Sequence, residues 1–423
     1  MKKLVVLLIG LLALAGCDDK LDDGLTYYSL DFNIIMPDGL DNCQPVNEQI
    51  EVKDVSTGRK TVYGSRDDVS LKSGLYDISY EADVTDSAGT LYHVSAYRQS
   101  VEVNGNSHLV ALTAFKTIEN DDFVIQEVFF TGTLRSSGNQ YYGDDYVIIY
   151  NNTDHVLYAD GLSLVESKFL TTAKYDYTPD IMGEAMTVEA IYTIPGNGTE
   201  HPVPPGGRLI LADTGIDHRI SNPNSFNLSA ADWEWYDEST VATHLDIDSP
   251  TVPNLDKWYC YTLSFFVLHN RGFHAWALAR IPISKEEYLS NYRYTFEYVV
   301  TNAAGTFPME QTEYKLPNKW VVDAVNCSVA SEYAWNVTDP SLDRGWTYCG
   351  TMDHDKTRYF HSVRRKMLYV KDGVPRLKDT NNSTEDFNPY CIPSLIEEQG
   401  TAIDVNGTLC TQHTYDGVTI INE

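Results

Sequence analysis

Tyr146-Val147-Ile148-Ile149-Tyr150-Asn151-Asn152 is the stretch on which the fold turns. A run of β-branched and aromatic residues ends in two asparagines, a composition that suits a pleated strand followed directly by a turn. Val124-Ile125-Gln126-Glu127-Val128-Phe129-Phe130 precedes it and Arg208-Leu209-Ile210-Leu211-Ala212 follows, and both runs are too short for a helix. Further out, Tyr28 to Ile35, Val94 to Val103 and Tyr261 to Leu268 have the same character, with Gly, Pro, Asn and Asp breaking the chain between them. One helix start stands out, where Ser284 precedes Glu287 in a capping box and Tyr288, Leu289 and Tyr292 follow at helical spacing. The pattern predicts an all-β protein made of β-sandwiches. Val128, Val147, Ile149, Leu209, Leu211, Val322 and Val325, apolar at alternating strand positions, are its expected core.

The chain has 423 residues, of which 43% are hydrophobic and 22% charged, a globular composition long enough for two or three domains. Its 31 basic residues face 60 acidic ones, a formal charge of -29. Like charge repels phosphate backbones, so nucleic acid is excluded as a partner, as is membrane attachment through basic patches.

The first residues carry an address. Lys2 and Lys3 lead into an apolar run from Leu4 to Leu14, too short to span a bilayer, and the run ends in Leu14-Ala15-Gly16-Cys17. This order of charge, apolar core, small residues and cysteine resembles the bacterial lipobox, which implies a signal peptide over 1–16 and acylation of Cys17. Asp18-Asp19-Lys20-Leu21-Asp22-Asp23 then forms an acidic tether over 17–24. It resembles the acid-rich export signal of Bacteroidota lipoproteins, implying an outer-membrane, lipid-anchored protein exposed at the cell surface; in other bacteria an aspartate straight after the cysteine implies inner-membrane retention instead.

Of seven cysteines, six remain after Cys17: Cys43, Cys260, Cys327, Cys349, Cys391 and Cys410. An even number in an exported chain permits disulfides, and none stands in a zinc pattern. Cys327 with Cys349 and Cys391 with Cys410 close the shortest loops and are the economical pairs; buried free thiols are the other reading.

Residues 25–116 read as a small sandwich. Met36-Pro37-Asp38-Gly39 and Thr57-Gly58 mark turns, and Ser73-Gly74-Leu75-Tyr76-Asp77-Ile78 feeds a strand. This resembles carboxypeptidase-regulatory or prealbumin-like domains. A polar link at Thr117 to Asp122 leads to a larger unit over 121–423. There the strand ending in Tyr150-Asn151-Asn152, the Ala159-Asp160-Gly161 turn and the Pro204-Pro205-Gly206-Gly207 turn resemble the lamin-tail domain, an immunoglobulin-like sandwich. Trp320 to Val325 and Ser362-Val363-Arg364-Arg365 look like its closing strands, with long insertions between Ser167 and Val203 and between Asp213 and Lys257. With Lys315-Leu316-Pro317-Asn318-Lys319-Trp320 and the segment from Asp379 to Phe387, the pattern resembles an uncharacterised domain-of-unknown-function family of Bacteroidota surface lipoproteins. That resemblance implies a fold and an address without an activity.

Chemistry is sparsely signalled. The sequence contains no Gly-x-Ser-x-Gly elbow, no His-Glu-x-x-His, no phosphate loop and no dinucleotide fingerprint, so the chain reads as a non-enzyme. Met352, His354 and His361 offer soft sulfur and imidazole in one segment, either as transition-metal ligands or as a solvated loop. Trp233, Trp235 and Tyr236 alternate with acids, either as a strand buried on one side or as a stacking face for a sugar ring or a protein. Asp379 to Ser383 begins like a calcium loop but lacks its glycine and twelfth-position acid, which excludes an EF-hand and leaves an Asx-turn network, or a different calcium geometry that adds Glu385 and Asp386. The reading is a binding module in nutrient or metal capture, placed beside a TonB-dependent transporter; a structural or adhesive surface protein is the alternative.

Overall fold

The computed structural model describes residues 26–400, apart from 38, 41, 65–66, 88, 90, 106–108, 118–120, 243–244, 263 and 372–373. The leader, the tether, Cys17 and Cys410 lie outside the described residues. The chain divides into two compact units, Met1–Phe115 and Lys116–Glu423.

In the first unit, strand Tyr27–Ile35 lies between Val69–Lys72 and Leu109–Thr113, pairing antiparallel with the former and parallel with the latter. A second sheet runs Lys60–Gly64, Pro45–Asp54, Gly74–Thr85, Leu91–Val103. Two-residue periodicity makes it a sandwich: along Gly74–Thr85, Tyr76, Ile78, Tyr80, Ala82 and Val84 are buried and their neighbours are not. They meet Leu30, Val110 and Leu112 from the other sheet in one core.

The second unit is a larger sandwich. Its first sheet has the order Trp233–Glu234, Arg208–Ala212, Tyr146–Asn151, Phe123–Phe129, Ser362–Arg365, Phe387–Cys391. The second runs Arg293–Asn302, Gly305–Pro317, Ala185–Thr193, Leu162–Ser167, Ala275–Arg280, Val321–Asn326, and Asp256–Cys260 also pairs with Ala185–Thr193. Ile125, Val128, Val147, Ile149, Leu209 and Leu211 face Leu164, Tyr192, Trp276, Leu278 and Val325 between the sheets. Every expected core position is therefore inside, with Val322 half-buried against the cluster. The outer faces are covered too. Phe129, Tyr146 and Ile148 pack under Phe226, Phe360 and Ile396, which is why Tyr146–Asn151 reads as a continuous apolar run rather than an alternating one.

The local signals also have visible causes. Asn151 donates its side-chain amide to the carbonyls of His155 and Val203, and the backbone of Gly206 and Gly207 bonds that of Asn151, so the Tyr-Asn-Asn end and the Pro-Gly-Gly turn hold each other. Gly206 has φ +75°, and a Cβ there would stand 2.7 Å from Val374 Cγ1. Ser284 caps Lys285–Asn291 by accepting from Glu287 N at 3.2 Å.

Two expectations are corrected. The described residues of the Tyr261 to Leu268 run, all but 263, form no strand: the ladder ends at Cys260, and Phe266 and Leu268 plug the core while the Phe266 amide bonds the Asp237 carboxylate at 2.8 Å. Cys327 and Cys349, expected as a bridge, are both free thiols packed in the sandwich core, where burial pushes each thiol well above its ordinary range. They serve as small apolar residues. Cys391, whose expected partner lies outside the described residues, is a buried thiol pushed up to about 12 by burial.

Candidate ligand-binding cleft

The insertion that follows strand Leu162–Ser167 crosses the outer face of the second sheet before returning as Ala185–Thr193. It is pinned where Thr178 and Glu297 exchange two backbone hydrogen bonds of 2.9 Å. Strand periodicity then turns Tyr294, Phe296 and Tyr298 of Arg293–Asn302 inward together. Phe169 stacks on Tyr177 at 4.1 Å and meets Phe296 edge-on at 5.3 Å, while Tyr175 lies 5.1 Å from Tyr298. Trp335 closes the set parallel to Tyr177 at 6.0 Å, its indole N–H donating to the carbonyls of Leu170 and Ala173.

Phe169, Tyr175, Tyr177, Tyr294 and Trp335 wall a cleft of about 240 Å³, backed by Phe296 and Tyr298, whose floor is Thr187, bonded to the Tyr294 hydroxyl at 2.5 Å. Lys174, Asp176 and Asp180 stand exposed at its mouth, and the Lys174 ammonium lies 5.5 Å over the Trp335 ring. Burial, then the neighbouring tyrosines, raises the Tyr177 phenol above its ordinary range; burial first pushes Tyr294 up to about 12. Both stay neutral donors at any physiological pH. Among the described residues no hydrogen-bond partner reaches the Tyr177 hydroxyl, and the lining contains no histidine, cysteine or serine. Flat apolar walls, phenolic donors and carboxylate acceptors suit a ring-shaped, largely uncharged ligand.

The residues singled out in sequence fall elsewhere. Trp233 and Trp235 are core residues, the latter 0% exposed, and only Tyr236 is half-buried. Trp233–Glu234 joins the sheet edge in parallel with Arg208–Ala212, which turns Trp233 into the sandwich and carries Trp235 in against Phe266. The alternating acid is also buried: Glu234 accepts from the amides of Gly215 and Ser249 and so secures its own insertion. Met352 and His354 are exposed, whereas His361 stacks on Tyr390 at 3.8 Å and bonds the Tyr359 carbonyl. The Arg271 guanidinium, 2.6 Å from Asp353 and 3.5 Å from His354 Nε2, fills that corner with a fixed positive charge. Asp386, accepting from Thr380 and Asn382, closes the 379–386 segment as an Asx-turn network.

Among the described residues, two other groups of side chains converge as metal ligands would, and neither contains His354 or His361. In Asp160, Glu200 and His201 the Asp160 carboxylate is engaged by the backbone amides of residues 198, 200 and 201. In Glu166, Glu189 and His274 all three are buried. Burial, opposed by Lys168, pushes the Glu189 carboxyl up to about 7; burial pushes His274 down to about 4. The Lys168 ammonium, 3.1 Å from Glu189 and 3.5 Å from Glu313, already supplies the positive charge there.

The sequence reading missed the cleft. Its signal was aromatics at a spacing of two, Tyr175 with Tyr177 and the series Tyr294, Phe296, Tyr298, in an insertion and a strand that no motif had marked.

The molecule is thus an all-β protein in which a β-sandwich carries long insertions. Residues 204–394 match the model of DUF4876, a family of proteins of unknown function. The fold is similar to the crystal structure of a DUF4876 family protein from Bacteroides thetaiotaomicron VPI-5482, with a TM-score of 0.53 and 18% identity over 89% of this chain and 98% of that one. Over residues 204–394 the chain is thus similar to a family of unknown function, one solved member of which, from a Bacteroides species, has a similar fold. No curated protein matches the chain.

Proposed function

We propose that this protein is a surface binding module: anchored to the outer membrane through acylated Cys17, it captures a neutral, ring-bearing ligand of the saccharide class without transforming it. The observation that carries the reading is the aromatic cleft. Rings held by hydrogen-bonded insertion and sheet form apolar walls that stack on the C–H faces of a pyranose, and the phenols and carboxylates at its edges meet hydroxyls. The excess of acid over base disfavours anionic ligands. The lipobox-like leader and the acidic tether support the address, and a captured nutrient at that address calls for a TonB-dependent transporter as partner.

Calorimetry with neutral and anionic oligosaccharides on the mature chain tests the ligand class; binding confined to the anionic set counts against it. Purification from host membranes tests the address and the partner. Recovery with a transporter barrel supports capture, and recovery with fibre subunits favours a structural or adhesive role. That second reading draws on the hairpin of Arg293–Asn302 and Gly305–Pro317, which leaves Val299, Phe307 and Met309 exposed.

A further inference from the structure

The hairpin of Arg293–Asn302 and Gly305–Pro317 runs out beyond the sheet that bears it. Its ladder holds one register from Arg293 opposite Tyr314 to Asn302 opposite Gly305, whereas only Tyr314 to Pro317 also pair with Ala185–Thr193. Opposed residues of an antiparallel pair share a face, and successive residues alternate. Tyr298 with its partner Met309, and Val300 with its partner Phe307, therefore lie on the face that carries Tyr294 of the cleft. The outer pair stands about 7 Å beyond the inner one.

The two faces of this ribbon differ in chemistry. On one, Thr295 and Thr312 share a hydroxyl hydrogen bond of 2.7 Å and Thr301 and Thr306 one of 3.2 Å, which tie strand to strand. On the other, Tyr298 and Val300 are half-buried, Phe307 is 42% and Met309 39% exposed, and Glu313 is the last charged residue before the turn. From 298 to 309 the chain has no Asp, Glu, Lys, Arg or His, although it carries 60 acidic and 31 basic residues. A projecting, apolar and uncharged face of this kind marks a contact surface.

The cleft decides what that face continues. Its volume of about 240 Å³ falls below the roughly 300–1,000 Å³ of sites that enclose a drug-sized ligand, which leaves room for a single ring. A chain of rings seated there has to leave through the mouth. Lys174, Asp176 and Asp180 make part of that mouth charged. Tyr175, by contrast, lines the cleft and lies 5.1 Å from Tyr298, so an apolar path leads from the cleft onto the hairpin.

We infer that the hairpin face of Tyr298, Val300, Phe307 and Met309 is a second subsite, on which a neutral oligosaccharide held by one ring in the cleft lays its next rings. The inference rests on the reading of the cleft as a saccharide site and sharpens it: the ligand is an uncharged chain rather than a single sugar. The C–H faces of its rings meet the apolar side chains, whereas an anionic chain finds no cation between 298 and 309.

Calorimetry on the full mature chain compares di-, tetra- and hexasaccharides from starch, mannan and xylan. The proteins are wild type, the Phe307→Ala, Met309→Ala double variant and the control Val299→Ala, exposed on the ribbon's other face. All three substituted residues are exposed, so the fold is not at stake. Wild type and control bind the hexasaccharide of one series about fivefold to tenfold more tightly than its disaccharide, and the double variant binds both with the disaccharide's affinity. Affinity that does not rise with length in wild type, or a rise that the double variant keeps, overturns the subsite and leaves the cleft reading standing. Wild type that binds no oligosaccharide of any length overturns both. Sedimentation of the same preparations tests the other occupant: a wild-type dimer that the double variant dissociates assigns the face to a second copy of this chain and overturns the subsite.

Discussion

Two aromatic groups of similar size meet opposite fates in this molecule. Trp233 and Trp235 belong to a strand edge that joins the sandwich, so the alternation that exposed one face on paper buries both indoles between the sheets. Phe169, Tyr175 and Tyr177 belong to an insertion that crosses the outside of the other sheet, where Trp335 and the Arg293–Asn302 strand hold them half-exposed around a cleft. Ring content therefore says little about recognition. What decides is whether the neighbouring backbone continues a sheet or crosses over one.

The largest expected effect lies on the buried side. Trp235→Ala, at a position with no exposure, should lose about 3–5 kcal/mol in urea unfolding. A loss under about 1 kcal/mol would break the contrast by showing that the indole is not part of the core.

On the open side, Tyr175→Ala with Tyr177→Ala should weaken oligosaccharide binding about tenfold or more, at a stability cost of about 1–2 kcal/mol, because both rings are only half-buried. Calorimetry and thermal unfolding on one preparation read both quantities.

A third prediction concerns the buried polar group beside the insertion. Burial raises the Glu189 carboxyl from 4.5 to about 7, so the folded state holds a proton that the unfolded state releases. That contribution to stability is full below pH 4.5 and is lost as pH rises to about 7. Glu189→Gln should flatten the decline in urea midpoint across that window, and an unchanged slope would assign it to other groups.

The smallest effect is at the mouth of the cleft. Lys174→Ala, exposed over Trp335, should change stability by less than about 0.5 kcal/mol and affinity by about twofold.

Much of the sandwich was legible because local signals agreed with the global arrangement. Tyr146 to Tyr150 and Arg208 to Ala212 are strands in their own right, Ser284 and Glu287 cap the helix that follows, and alternation placed Val147, Ile149, Leu209 and Leu211 inside. Reading failed where a non-local partner decides. Arg364 and Arg365 stand in a strand that the sequence marks, but nothing in that strand names their partners: Arg364 pairs with Glu397 at 2.8 Å and Arg365 with Asp323 at 2.5 Å, both buried. Tyr261 to Leu268 has strand composition, but an Asp237 carboxylate from a distant insertion takes its backbone amide at Phe266. The metal expectation at Met352, His354 and His361 met Arg271, whose approach no spacing within that segment encodes. The cleft is the same kind of case, since its walls come from segments more than a hundred residues apart that only the sheet brings together.

The central claim is that the aromatic cleft is where this protein meets its ligand. Affinity electrophoresis through gels containing neutral polysaccharides, a starch, a mannan, a xylan and a mixed-linkage glucan, compares the wild-type mature chain with the Tyr175→Ala, Tyr177→Ala double variant. The account predicts retardation of the wild type in at least one gel and its loss in a variant with an unchanged far-ultraviolet spectrum. Free migration of the wild type in all four, or retardation that the double variant retains, would contradict it.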